Sequence, residues 1–206
     1  MSIIYTFNNK VLKNSANDKW LIKKESDPYN PLDLPPNVIR VKYQSGSRPH
    51  IGDVSRLVDV DGNIWDIFIE SNNWSNLAQY NNELVEVLGA NTTNVTNMES
   101  MFTYCTQLTT VSLFDTSNVT NMSRMFDNCG QLTSIPLFNT SKVTNMNYTF
   151  NYCTHVDSGA LALYQQASSQ TNPPTYHDGT FNDCGNNSET GRVELAQIPA
   201  SWGGLA

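Results

Sequence analysis

The chain has 206 residues, of which 39% are hydrophobic, 10% aromatic and 15% charged. The aromatic content is too high for a disordered chain, and no apolar run reaches the roughly 20 residues of a membrane helix. The net charge of −7 is uneven, because residues 1–56 hold nine bases and five acids whereas residues 57–206 hold three bases and fourteen acids. The acidic C-terminal part repels phosphate, so we expect no nucleic-acid binding. The lack of a long apolar run predicts no membrane insertion.

The first part of the chain, residues 1–36, has no internal period. Residues 10–22 are plausible as a small β segment, and residues 27–36 contain four prolines among turn-forming residues, which is typical of a linker. The start shows no basic region followed by an apolar run, so we expect no secretory signal peptide. We interpret residues 1–36 as an attachment segment that ends in this linker.

A small β-sheet is predicted for residues 37–66, where it would cover one end of the following region. Residues 38–43 alternate as in a strand, and two further strands, 57–60 and 64–68, flank the hairpin turn Asp61-Gly62-Asn63.

The strongest pattern is a 24-residue repeat without gaps. Residues 91–114, 115–138 and 139–162 align so that four columns coincide. The columns are Val95/Val119/Val143, Met98/Met122/Met146, Phe102/Phe126/Phe150 and Cys105/Cys129/Cys153. Residues 67–90 form a degenerate unit before them, and residues 163–200 form a capping unit after them. A repeat of this length predicts a short leucine-rich-repeat-like solenoid over residues 67–200.

Each unit is predicted to contain one strand and one helical turn, which makes the fold class an α/β repeat with a small N-terminal β region. In the middle unit, residues 132–137 form the strand, with Leu132, Ile135 and Leu137 pointing inward. Residues 121–126 form the helical turn, because Met122, Met125 and Phe126 have the i, i+3, i+4 spacing of one helix face and Thr120 can cap it.

The unit Asp115–Cys129, which reads DTSNVTNMSRMFDNC, resembles the BspA-like leucine-rich repeat, also called the mycoplasma lipoprotein-type repeat. The resemblance covers residues 91–162 well and the flanking units loosely. It implies a curved strand-and-helix solenoid without catalysis or cofactor. Relatives are mostly bacterial surface proteins implicated in adhesion, with short forms in gut bacteria and their phages.

The four cysteines occur one per unit, at spacings of 24, 24 and 31 residues. Zinc sites need closely spaced ligand pairs, so this spacing favours free thiols that are buried in the core. Units that pack through helices would also lie about 8–10 Å apart, too far for a disulfide between them. Residues 59–70 resemble a calcium loop only weakly, because the sixth position carries Ile64 in place of glycine. We therefore expect no metal site.

A nucleophilic site is an alternative at Cys184, with His177 and Asp178 nearby in the sequence. Cys184 also fits the structural cysteine column, and sequence proximity does not establish a catalytic geometry. A cysteine-dependent hydrolase is therefore only a minor alternative, and we predict no catalytic residues.

Positions that vary between constant core residues are the candidate binding site. Ser100, Arg124 and Tyr148 occupy one such column, and Tyr104, Asn128 and Tyr152 occupy another. Tyrosine beside asparagine is typical of adaptable recognition surfaces. The predicted binding residues are Tyr104, Tyr148, Tyr152, Arg124 and Asn128. Ordinary surface variation is an equally weighted alternative.

The sequence thus favours a non-enzymatic binding or adhesion module that recognises a protein or glycan on a cell surface. The resemblance places it on a bacterial surface or a phage particle. The main alternative is a structural virion or assembly component that has no ligand of its own.

Overall fold

A computed structural model of the chain describes residues 6–7, 10–11, 34, 36–45, 56–59, 63–69 and 71–206. The strands in these residues are β1 Thr6–Phe7, β2 Lys10–Val11, β3 Val38–Tyr43, β4 Arg56–Asp59, β5 Ile64–Phe68, β6 Leu84–Asn91 and β7 Thr110–Val111. The helices are α1 Ala160–Ser168, α2 Glu189–Leu195 and a 3-10 helix at Ala200–Trp202. None of these helices is long and apolar enough to span a membrane.

Five strands form one mixed sheet in the order β4-β5-β3-β6-β7, and β1 pairs separately with β2. Neighbours from β4 to β6 are antiparallel, whereas β6 and β7 are parallel. The predicted antiparallel strands are confirmed, with Val38 opposite Phe68 and Asp59 opposite Trp65. Asp61 and Gly62 of the predicted hairpin turn lie outside the described residues.

The sheet and the repeat units share one hydrophobic core. Because side chains alternate along a strand, Ile39, Val41 and Tyr43 of β3 lie on the same face, and all three are buried. They belong to the same apolar cluster as the side chains of the repeats. The Tyr43 hydroxyl accepts a hydrogen bond from Asn81 Nδ2 at 2.7 Å, and burial raises the pKa of this phenol.

The predicted fold class, an α/β leucine-rich-repeat-like solenoid with one strand and one helical turn per unit, is wrong. Within the described stretch 92–159 the only strand is β7, and no α-helix begins before Ala160. Residues 132–137, predicted as a strand, form a single isolated bridge from Ser134 to Ser158. Leu137, expected to point inward, is 50% exposed. The regular elements are a mixed sheet and two short α-helices.

The helical turns are absent because each unit contains residues with a left-handed backbone. In residues 121–126 Arg124 has a φ of 56°, which a right-handed helix excludes. The Met125 amide bonds to the Met122 carbonyl three residues back at 3.1 Å, which marks a tight turn. Thr120, the predicted cap, instead donates from its amide and hydroxyl to the Thr96 carbonyl of the preceding unit.

The 24-residue units stack directly on one another through main-chain hydrogen bonds. Parallel bridges connect one position of each unit, running through Asn73, Asn97, Asn121, Asn145 and Tyr176. The Oδ1 atom of each of the four asparagines also accepts a hydrogen bond from the main-chain N–H two residues later, which fixes the start of the turns. The hydrogen bonds that a helix would make internally are therefore made between units.

Stacking brings equivalent apolar side chains into columns, as the repeat predicted. The ring centroid of Phe126 lies 5.2 Å from those of Phe102 and Phe150, and the ring planes are nearly parallel. All three side chains are buried. Phe181 continues this column, and the Trp202 indole lies on its far side at 6.5 Å. The aromatic column thus ends at the 3-10 helix.

Candidate recognition site

All five predicted binding residues lie at left-handed backbone positions, which recur in pairs four residues apart in every unit. One member of each pair forms the arginine column: Asn76, Ser100, Arg124, Tyr148 and Gly179. The other member forms the tyrosine column: Tyr80, Tyr104, Asn128, Tyr152 and Asp183. Main-chain bonds place the members of a column on consecutive levels, for example Tyr104 N to Asp127 O at 2.8 Å.

The tyrosine column exposes large aromatic side chains at the surface. Tyr80, Tyr104 and Tyr152 are 63%, 42% and 46% exposed. The rings of Tyr80 and Tyr104 stack with centroids 5.3 Å apart and planes 23° apart. Tyr80 was not among the predicted residues because its unit is degenerate, although it lies 24 residues before Tyr104.

Asn128 interrupts the aromatic part of the tyrosine column. The main-chain N–H of Asn128 donates to the main-chain carbonyl of Asn151 at 2.8 Å, so Asn128 occupies the level between Tyr104 and Tyr152. Tyrosine occupies the corresponding left-handed position on both neighbouring levels. Asn128 therefore places a short side chain on a level whose two neighbours carry exposed tyrosines, and we call this position between Tyr104 and Tyr152 the Asn128 slot.

Beside the slot, Arg124 is held by an aromatic ring and a carboxylate. Its guanidinium carbon lies 5.1 Å from the centroid of the Tyr148 ring, within cation–π range. Nη1 is 3.7 Å from Asp127 Oδ2. The arginine side chain is mostly exposed whereas the aspartate is buried, so donors of Arg124 remain accessible to a ligand.

Asp127 is a buried carboxylate that positions the surrounding side chains. Its Oδ1 accepts hydrogen bonds from Asn128 Nδ2 and Asn151 Nδ2, both at 2.8 Å. Asn151 Oδ1 in turn accepts from Asn182 Nδ2 at 2.8 Å. A buried carboxylate needs such partners. The sequence analysis did not identify Asp127. The feature that could have indicated it is a carboxylate at a position where the neighbouring units carry Thr103 and Asn151.

Arg124 is the only basic residue of the two columns, and acids occur both beside it and at the end of the stack. Asp127 faces it directly, and Asp183 ends the tyrosine column. Tyr148 N donates to the carbonyl of Asp178 on the next level at 2.9 Å, and the Asp178 side chain is exposed. The site therefore has little net positive charge to offer.

A second exposed feature lies where the sequence predicted buried strand residues. Leu113 and Leu137 are exposed, and with Phe114 and Asp115 they line a shallow groove. Asp115 is the only titratable residue among the described residues that line the groove.

The cysteines are free and buried, as predicted. The thiols of Cys105, Cys129 and Cys153 each donate to a carbonyl of the preceding unit at 3.1 Å. Burial raises the pKa of Cys105 to about 12 and raises the pKa of Cys129 and Cys153. No group of three metal-ligating side chains occurs in the part of the chain that the structure describes. Residues 60–62 and 70 of the calcium-like loop lie outside those residues.

The alternative nucleophile Cys184 is also buried, and burial raises the pKa of its thiol. His177 stacks on Trp202 with the ring centroids 4.2 Å apart, and its Nδ1 lies 3.2 Å from Ser201 O. A protonated, inaccessible thiol is a poor nucleophile. These positions favour a structural role for Cys184.

One comparison with known proteins gives a match. A family model described as "Mycoplasma protein of unknown function, DUF285" matches residues 70–184, which contain both columns from Asn76 to Asp183. No curated protein and no solved structure is similar enough to the chain to match.

Proposed function

The chain belongs to the DUF285 family, and we propose that it is a non-enzymatic recognition module that binds a protein or glycan on a cell surface. The observation that carries this proposal is the exposed tyrosine column, together with the adjacent Arg124 and Tyr148. The setting would be a bacterial surface or a phage particle, as the resemblance to BspA-like surface proteins suggests.

The division between constant and variable positions supports a recognition role. Met98, Met122 and Met146 are the same residue in three units and are buried. Two residues further along the chain, the left-handed position changes from Ser100 to Arg124. The stacked units therefore form a rigid framework on which surface residues change without disturbing the core.

The chemistry of the exposed side chains suits binding. Tyrosine provides a large contact area and has only two side-chain torsions to order, so its entropic cost on binding is low. Aromatic residues and arginine commonly contribute most of the binding energy of an interface. Tyr104, Tyr148, Tyr152 and Arg124 place these two residue types on adjacent levels.

The proposal is tested with arrays of glycans and of surface proteins, followed by titration of the best ligand. Replacing Tyr104 and Tyr152 together by serine should weaken binding by more than about 2 kcal/mol. Serine fits the backbone, because Ser100 already has a φ of 54°. Tyr176→Ser is the matched control, since Tyr176 is similarly exposed but outside both columns. Equal affinity of the double variant and the wild type would refute the site.

A further inference from the structure

The Asn128 slot is one level of the stack, so its height follows from the spacing of rings on adjacent levels. The rings of Phe102, Phe126 and Phe150 lie 5.2 Å apart on adjacent levels, and those of Tyr80 and Tyr104 lie 5.3 Å apart. A ring inserted at the level of Asn128 would therefore lie one such step from Tyr104 and one from Tyr152. This separation is within the range over which rings stack favourably. The slot can thus hold one ring between two tyrosine faces.

The polar groups around the slot match a ring that carries hydroxyl groups. The hydroxyls of Tyr104 and Tyr152 can donate and accept. Asn128 uses its Nδ2 toward Asp127, which leaves its amide oxygen as the acceptor of that side chain. Arg124 contributes donors only. A plain aromatic ring would leave these groups without partners, whereas a sugar ring has hydroxyls on its rim to satisfy them.

The charges around the slot favour an uncharged ligand. The buried carboxylate of Asp127 offsets the charge of Arg124, the nearest cation. Asp183 and Asp178 lie two levels further along the stack. Residues 57–206 as a whole hold three bases and fourteen acids. An anionic sugar would meet this repulsive field, and a neutral one would not.

We propose that the Asn128 slot binds one pyranose ring of a neutral glycan, sandwiched between Tyr104 and Tyr152 with Arg124 at its side. This inference rests on the proposed recognition function and names its ligand class. Two tyrosine faces provide the apolar contact for the C–H faces of the sugar, and the amide and guanidinium orient its hydroxyls. Asp127 acts as a positioning residue, because it holds both Asn128 and Arg124.

The decisive variant fills the slot with the ring that the column otherwise contains. Asn128→Tyr is compatible with the backbone, because Asn128 has a φ of 61° and Tyr104 has a φ of 60°. The new ring would stack with its neighbours and exclude the sugar. Asn76→Tyr is the matched control, since Asn76 is exposed and left-handed with a φ of 58° but lies in the arginine column.

The probes are immobilised oligosaccharides of neutral hexoses and N-acetylhexosamines, with uronic-acid and sialic-acid oligosaccharides as charged comparisons. We expect the wild type to bind neutral oligosaccharides, and we expect Asn128→Tyr to lower the association constant at least about tenfold. Asn76→Tyr should bind as the wild type does. The thermal unfolding of Asn128→Tyr should show that the variant is folded.

Three results would overturn the inference: unchanged binding by Asn128→Tyr, binding of the acidic oligosaccharides alone, or no glycan binding at all. These outcomes are distinguishable from failure of the proposed function. If a surface protein is bound and the Tyr104 and Tyr152 double substitution abolishes that binding, the recognition function stands and only the glycan assignment falls. If the double substitution affects no ligand, both proposals fall.

Discussion

The rings of Tyr80 and Tyr104 stack on each other, with centroids 5.3 Å apart, although the two residues are separated by one full repeat of 24 positions. This contact follows from the main-chain bonds between units, such as Tyr80 N to Thr103 O at 2.8 Å. Side chains at equivalent positions of neighbouring units therefore lie within ring-stacking distance of each other. When one unit carries a different residue at such a position, the surface changes at that level. The Asn128 slot is one such change.

Phe126→Ala should destabilise the fold by about 3–5 kcal/mol, because it opens a cavity in the core. The Phe126 ring is fully buried and lies 5.2 Å from both Phe102 and Phe150. Urea unfolding of the variant and of the exposed control Tyr176→Ser measures the difference. A loss below about 1 kcal/mol would show that the aromatic column is not packed as described.

Asp127→Ala should lower the free energy of unfolding by about 1–3 kcal/mol, because the buried side-chain amide of Asn151 and the half-buried one of Asn128 lose their acceptor. The same substitution should weaken ligand binding, since Arg124 is no longer held. Asp178→Ala is the control in the unfolding measurement, because the Asp178 side chain is exposed. If both variants unfold at the same urea concentration, Asp127 does not organise the site.

Stability should fall as the pH rises above about 9. Burial raises the pKa of Cys105 from 9.0 to about 12, so the folded protein keeps this proton at a pH where the unfolded chain releases it. The thiol therefore contributes stability that is fully present below pH 9.0 and is lost as the pH rises toward 12. Cys129 and Cys153 act in the same direction.

Urea unfolding at about pH 8 and about pH 10.5 measures this loss. In Cys105→Ser the decline should be shallower, because serine has no proton to release in that range and its hydroxyl can still donate to Ala78 O. An identical pH dependence in the variant and the wild type would contradict the assignment.

Removing residues 1–33 should leave ligand binding intact and abolish attachment to the parent particle or cell. The cut precedes Leu34, because this residue is buried and its carbonyl accepts a hydrogen bond from Asn91 Nδ2 at 2.6 Å. Surface plasmon resonance with the array ligand measures binding, and a pull-down with parent particles or cells measures attachment. Attachment that persists without these residues would refute their predicted role.

The buried columns and the free thiols could be predicted from the sequence, because a strict period repeats every apolar position. The backbone of the units could not. The spacing of Met122, Met125 and Phe126 fits a helix face and two successive tight turns equally well. The deciding feature is the left-handed backbone at Arg124 and at Asn128. Arginine rarely adopts this conformation, so its presence at position 124 does not predict it.

The site was only partly predictable. Variation between units identified Tyr104, Asn128 and Tyr152, whose role in binding stays a prediction. It passed over Tyr80 because that unit is degenerate, and over Asp127 because a surface and a buried carboxylate look alike in a sequence. The contacts that make Asp127 a positioning residue come from the next unit, through Asn151.

The most direct test of the recognition surface is an NMR titration of protein labelled with carbon-13 in the rings of its nine tyrosines, using the ligand that the arrays identify. We expect the ring signals of Tyr80, Tyr104, Tyr148 and Tyr152 to shift on binding, and we expect the ring signal of the exposed Tyr176 to stay unchanged. Shifts at Tyr176 with none at Tyr104 and Tyr152 would contradict the proposed recognition surface.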